Sequence, residues 1–208
     1  MIMGTKERIM DVALHMFSER GYAATSIRDI CGEVGIKEST LYYHFKNKHD
    51  ILDSLITRFE DHIEGLIGNI NMPDPDKNDS GEAQMMDNYM MDSYLFEPFC
   101  NLMLRLMMIE QFHNAEIRDL YEQFMFTQPY EIQKRILNQF VLAGMVSETE
   151  AEWLVQEFFS FMTMLTYKYL LNGELTEERK AAYSQEVHSF YNRAMMRWRS
   201  VSGGNSDE

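Results

Sequence analysis

Thr40, Tyr42, Tyr43 and His44 fall within about one and a half turns of a helix, with Leu41 and Phe45 four residues apart as an apolar footing beneath them. The apolar pair can anchor one face while hydroxyl, phenol and imidazole tips point outward, where they suit phosphate oxygens and base edges. Lys37, Glu38 and Ser39 precede this group, Lys46 and Lys48 follow it, and Arg28 lies a short way upstream. The chemistry offered is recognition of a polyanion.

The elements that must hold these side chains are legible nearby. Ser26 with Asp29 three residues on forms a capping-box pattern, and Ile27, Ile30, Cys31 and Val34 then recur at helical spacing. Gly35 supplies a left-handed stop, and a second helix begins near Lys37 or Glu38. Two short helices joined by a glycine turn make the stretch Ser26 to Lys48 a helix-turn-helix that reads DNA.

Catalytic patterns are missing from the sequence. It contains no GxGxxG, P-loop, HExxH or GxSxG, so an enzyme is not expected. His15, His44, His49, His62, His113 and His188 show no ligand spacing with acidic or cysteine partners, and His44 and His49 lie across a helix break. Cys31 and Cys100 sit far apart on apolar faces and are expected as reduced core residues. Neither a cofactor nor a metal is expected. A helical scaffold that binds a small molecule or another protein is the competing class; it would explain the apolar helices but not T-L-Y-Y-H-F.

Across 208 residues the formal net charge is -14, which is unusual for a nucleic-acid binder until it is divided. Residues 1–50 hold seven Lys/Arg and seven Asp/Glu, and residues 51–208 hold twelve and twenty-six, so the acid lies outside the motif. Arg28, Lys37, Lys46 and Lys48 can then form a local basic rim, and local charge governs phosphate contact. The acidic remainder either steers DNA to that rim or simply keeps the surface solvated. The amino terminus M-I-M-G-T-K-E-R lacks a signal-peptide core and no run of 18 apolar residues exists, so a cytoplasmic protein without a membrane partner is expected.

Periodicity is helical almost throughout, and the fold expected is all-α with about nine helices. Residues 5–20 carry Ile9, Val12, Ala13, Met16 and Phe17 on one stripe, closed by Gly21. Asn47 with Asp50 opens a long helix through Ile51, Leu52, Leu55, Ile56, Phe59, Ile63, Leu66 and Ile67. A surface loop over 68–82, rich in Pro, Asp, Asn and Gly, separates this from helices over 83–94, 97–112 and 115–142, the last kinked or split by Pro129. Ser147 with Glu150 opens a helix that ends before Gly173, and Thr176 opens a last one to about Arg199. This implies a DNA-binding domain over 1–47, a body over 48–200, and a disordered tail over 201–208.

The body's helices are apolar beyond what one face requires. The helix after Ser147 carries Phe158, Phe161, Met162, Leu165 and Tyr169, and the last helix adds Val187, Tyr191, Ala194 and Trp198. A helix apolar all round must be buried all round, either by a second copy or within the chain, and a homodimer is expected. Eighteen methionines, nine of them between the loop and the apolar helix, including Met85, Met86 and Met90, suit a deformable lipophilic pocket or ordinary core. Phe99, Met103, Met107 and Glu110 share a face of the helix over 97–112, and with Met125, Phe161 and Met164 they are the candidate ligand-binding residues. Glu110 is expected either at a rim, paired with Arg105 or Arg118, or pointing inward toward a ligand.

From Gly35 to Leu52 the sequence G-I-K-E-S-T-L-Y-Y-H-F-K-N-K-H-D-I-L closely resembles the signature around the recognition helix of the TetR family of bacterial transcriptional regulators. The likeness covers residues 5 to about 65; the remainder resembles the family only in being helical. It departs where sequence is read, since the family's usual Ser, variable residue and Gly stand here as Lys37, Glu38 and Ser39. The resemblance implies an N-terminal three-helix DNA-binding domain, a larger C-terminal helical ligand-binding and dimerisation domain, and a ligand-released repressor. It also implies that Thr25, Thr40, Tyr42 and Lys48 hold phosphates, that Arg28, Lys37, Glu38, Ser39 and His44 reach bases, and that Tyr43 does either. The two readers of a dimer would span half-sites roughly 34–36 Å apart, or a multiple of that.

Overall fold

The structure is a computed structural model, and it describes residues 3–69, 91–142, 144 and 146–202, with the side chains of 140 and 194–202 outside that description. The described residues are helical, with no strand among them. Most of the loop expected over 68–82, most of the helix over 83–94, the side chains of Ala194 and Trp198, and residues 203–208 of the tail lie outside the described residues.

Two compact units divide the chain, Met1–Val155 and Gln156–Glu208. In the first, α1 is Thr5–Arg20, α2 Ile27–Val34, α3 Glu38–His44 and α4 Lys48–Gly68. After a π-helical turn at Met91–Leu95 come α5 at Pro98–Glu110 and α6 at Ala115–Glu122, a second π-helical turn at Gln123–Thr127, and α7 at Gln128–Leu142. Helix α8, Glu148–Leu165, starts in this unit and continues into the second, which holds a third π-helical turn at Thr166–Leu171 and α9 at Glu177–Ser202.

Several helix boundaries have a local cause. Gly21 ends α1 at φ 85° with its N–H on the Phe17 carbonyl, 3.0 Å away. Asn47 Oδ1 accepts the Asp50 N–H at 2.9 Å to start α4, and Pro98 stands in the first turn of α5 with Glu97 as its cap. Ser147 and Glu150 form the expected reciprocal cap before α8. The break expected at Pro129 occurs just upstream, in the turn Gln123–Thr127. Pro129 has no N–H for the Met125 carbonyl four residues back, and a wider turn absorbs the mismatch without ending the helix.

The reader packs as a small bundle. Ile9, Ala13 and Phe17 of α1, Ile30 of α2, Leu41 of α3, Phe45, and Ile51 and Leu55 of α4 are all buried. Burying Leu41 and Phe45 contributes about 1.5–3 kcal/mol each and fixes the roll of α3. Helix α1 also packs on α5, as does α4, so the reader and α5 belong to one unit. Helix α1 joins them, since it packs on α5 as well as on α2.

A second cluster surrounds Phe59 of α4, whose ring lies 4.9 Å from Phe124, 6.3 Å from Phe99 and 6.4 Å from Tyr94 between centroids. The Tyr94 hydroxyl donates to the Phe124 carbonyl at 2.6 Å, joining the first π-helical turn to the second. Burial keeps that phenol protonated, far above its ordinary range. In the second unit Phe158 packs on Tyr191 at 4.9 Å and Phe161 stacks on Phe190 at 4.5 Å, while Leu165, Tyr183 and Val187 are buried. Among the described residues, no helix is long and apolar enough to cross a membrane.

Candidate nucleic-acid interface

The candidate recognition helix is α3, and its footing and its tip are separated as the pattern requires. Leu41 and Phe45 are buried, whereas Tyr42 is 52% exposed and Tyr43 85% exposed. Tyr43 meets the His44 ring edge-on at 5.0 Å, which holds both rings at the helix end. Lys37, Glu38 and Ser39 are exposed at the start of α3, Arg28 is exposed on α2, and Thr40 and His44 are half-buried. Both phenols of this seven-residue helix therefore face solvent, outside the core that Leu41 and Phe45 enter.

The frame behind α3 is set by hydrogen bonds. Ser26 Oγ accepts the Asp29 N–H at 3.1 Å, and Asp29 Oδ2 accepts both the Ser26 N–H at 2.9 Å and its hydroxyl at 2.6 Å. The Ser26 donors hold the Asp29 carboxyl below the usual carboxylate range. Gly35 takes φ 75°, ψ 38°, and both it and Ile36 donate to the Cys31 carbonyl, closing α2. Arg8 of α1 donates to the Val34 carbonyl at 2.7 Å and so ties the turn to the first helix.

Thr25 and Lys48 stand differently from the other candidates. Thr25 is buried and its hydroxyl donates to the Gly21 carbonyl at 3.1 Å. The Lys48 ammonium donates to the carbonyls of Tyr22 and Thr25 at 2.6 and 2.7 Å and sits 4.1 Å over the Tyr22 ring. Burial pulls this ammonium below its ordinary range, and the negative charge of Glu110 opposes that shift. In the free protein both groups hold the turn between α1 and α2.

Glu110 was the missed component of this frame. It is 6% exposed at the last position of α5, and its Oε1 accepts the Tyr22 N–H at 2.8 Å. Its partner is a backbone amide at the reader, whereas the sequence pointed to Arg105, Arg118 or a ligand. No local pattern announces a bond across 88 positions. Among the other ligand candidates, Met103 and Met107 are buried on α5, Met125 is buried in the second π-helical turn, and Phe99 is half-buried beneath Arg58. Phe161 and Met164 belong to the second unit, Phe161 half-buried and Met164 52% exposed.

Of the dimerisation candidates, Phe158, Leu165 and Val187 are buried within their own chain, and Phe161, Met162, Tyr169 and Tyr191 are half-buried. One group of potential metal ligands exists among the described residues, His62, Glu97 and Cys100.

A short capped helix, a left-handed glycine turn and a second helix with outward aromatic and basic groups define a helix-turn-helix DNA-binding protein. Residues 9–55 match the family described as bacterial regulatory proteins, tetR family. Over 197 residues, 90% of this chain and 97% of the relative, the sequence is 28% identical to the biofilm operon icaADBC negative transcriptional regulator IcaR of Staphylococcus aureus (strain Newman). In fold the chain is similar to a TetR-family transcriptional regulator from Marinobacter aquaeolei VT8, with TM-score 0.62, 20% identity, and 89% of this chain and 88% of that one covered. A transcriptional regulator from Aquifex aeolicus VF5 gives TM-score 0.57 at 20% identity over 90% and 99% of the two chains. Residues 9–55 thus match the DNA-binding part of the tetR family of bacterial regulatory proteins, and over most of its length the chain is similar to a negative transcriptional regulator.

Proposed function

We propose that the protein is a homodimeric operator-binding repressor whose DNA affinity falls when a small lipophilic molecule occupies the body over 48–200. The exposed Tyr42 and Tyr43 on a helix anchored by Leu41 and Phe45 carry the DNA part of this reading. Thr40, Tyr42 and Tyr43 meet phosphates, and Arg28, Lys37, Glu38, Ser39 and His44 read bases. Thr25 and Lys48 hold the turn that sets the reader's position. Repression is supported by the relative IcaR, which is named a negative regulator.

The dimer uses α8 and α9. Met164 is largely exposed, and Phe161, Met162, Tyr169 and Tyr191 are only half-covered by their own chain, an apolar surface suited to a twofold mate. Ligand response has a route through the first unit. Helix α5 carries buried Met103 and Met107 and ends in Glu110, whose carboxylate holds Tyr22, and Tyr22 in turn holds Lys48 of α4. A molecule that displaces α5 among Phe59, Phe99 and Met103 therefore moves a part-buried hydrogen bond at the reader.

Retardation of the DNA upstream of the protein's own gene tests the proposal. Wild type should shift that DNA over random competitor, and Tyr42→Ala should lose the shift while keeping its helical circular dichroism. Equal binding by Tyr42→Ala and wild type would remove α3 as the reader.

A further inference from the structure

Three side chains able to bind a metal meet beside the first π-helical turn. His62 lies on α4, Glu97 caps α5, and Cys100 is in the first turn of α5. One ring nitrogen, one carboxylate oxygen and the Cys100 Sγ all lie within 4.8 Å of one another. Two of the three are already oriented. Glu97 Oε2 accepts the Cys100 N–H at 2.8 Å, which fixes the carboxylate. His62 Nε2 lies 3.1 Å from the Ser93 carbonyl, and because a carbonyl only accepts, Nε2 carries the proton and Nδ1 keeps the lone pair. A metal-binding imidazole is commonly held this way, its other nitrogen donating to a backbone carbonyl.

We propose that His62, Glu97 and Cys100 bind one divalent cation of the zinc class. The donor set decides the class: a nitrogen, an oxygen and a thiolate suit zinc, whereas magnesium and calcium take oxygen ligands. Three protein ligands leave a fourth position for water or another small ligand. Bond lengths of about 2.0–2.3 Å require the ligand atoms to draw in by roughly 1 Å from their present separations. Half-buried His62 and Glu97 supply that movement, and fully buried Cys100 is the fixed point. On binding, the Cys100 S–H bond breaks, its proton passes to solvent, and a sulfur–metal bond forms with no change of oxidation state. Burial, with Glu97 beside it, raises the Cys100 thiol above its ordinary range, so the metal itself must drive the ionisation; the thiolate and the Glu97 carboxylate then balance the two positive charges. The metal would join α4 to α5, the two helices that reach the reader through Lys48 and Glu110.

The test uses the full chain stripped with chelator and titrated with zinc by calorimetry and with cobalt by absorbance, readouts independent of DNA. One metal per chain and a thiolate-to-cobalt charge-transfer band are expected. Cys100→Ser should abolish the band, and Cys31→Ser, at the other of the two cysteines, should keep it. His62→Gln and Glu97→Gln should each weaken zinc at least about tenfold. Those two half-buried positions keep the test decisive if Cys100→Ser fails to fold, and Gln at 97 retains an oxygen for the cap. Absence of binding at micromolar zinc, or zinc affinity unchanged in both His62→Gln and Glu97→Gln, would overturn the site.

Discussion

Removing the Glu110 carboxylate isolates the bond that joins α5 to the reader. In Glu110→Ala the Tyr22 N–H loses its only hydrogen-bond acceptor among the contacts described, in a part-buried position. A bond to a charged group contributes about 1.5–3 kcal/mol, and an orphaned buried donor costs a similar amount, so a loss of about 2–3 kcal/mol is expected. For a chain of this size that lowers Tm by roughly 4–12 °C. Glu110→Gln keeps an oxygen but drops the charge that faces Lys48, and should cost about 1 kcal/mol. Urea unfolding of both variants measures the stabilities, and operator binding at fixed salt measures the effect on the reader. DNA affinity should fall in the same order, Ala more than Gln, because Tyr22 and Lys48 lose their common support. A Glu110→Ala protein within about 0.5 kcal/mol of wild type, or one with Gln the weaker binder, would refute the argument.

Other expectations follow from single contacts. Lys48→Met, which removes both carbonyl partners of the ammonium, should lower stability and weaken operator DNA; equal stability to wild type by urea unfolding would mean that the turn holds itself. Gly35→Ala forces a Cβ into φ 75° with nothing else within 4 Å, so a cost of about 1–2 kcal/mol from the backbone alone is expected by thermal unfolding. Arg179 donates to the carbonyls of Lys168, Tyr169 and Asn172 at the end of the third π-helical turn, and Arg179→Ala should cost about 1–2 kcal/mol, with a change below about 0.5 kcal/mol showing that the clamp carries no weight. Met164→Glu places a charge on the proposed twofold face and should sediment as a monomer at micromolar concentration; a dimer as tight as wild type would move the interface elsewhere.

What could be read from the sequence was local. Ser26 with Asp29, Gly35, and the pair Leu41 and Phe45 lie within a few residues of the groups they act on, so propensity and period suffice to place them. Pro129 announced a break but not its form, because a wider turn and a broken helix satisfy the same missing N–H. The roles of Lys48 and Glu110 depend on Tyr22, which is distant in sequence from both, and no spacing rule links an acid on a methionine-rich face to a backbone amide in another helix. The grouping of His62 with Glu97 and Cys100 is illegible for the same reason, since Glu97 and Cys100 come near it only after α4 and α5 have packed.

The π-helical turn between α6 and α7 carries a consequence for how such chains diverge. Gln123–Thr127 widens the run from α6 into α7 by about one residue relative to the ordinary repeat. Losing that residue would restore the repeat and rotate everything beyond it by about 100°. Tyr94 could then no longer present its hydroxyl to the Phe124 carbonyl, and the rings gathered on Phe59 would fan out to new bearings. A homologue one residue shorter there would keep α1 to α4 yet pack a differently shaped interior around Phe59. A single-residue length change at this point can thus reshape the body while leaving α3 as it stands.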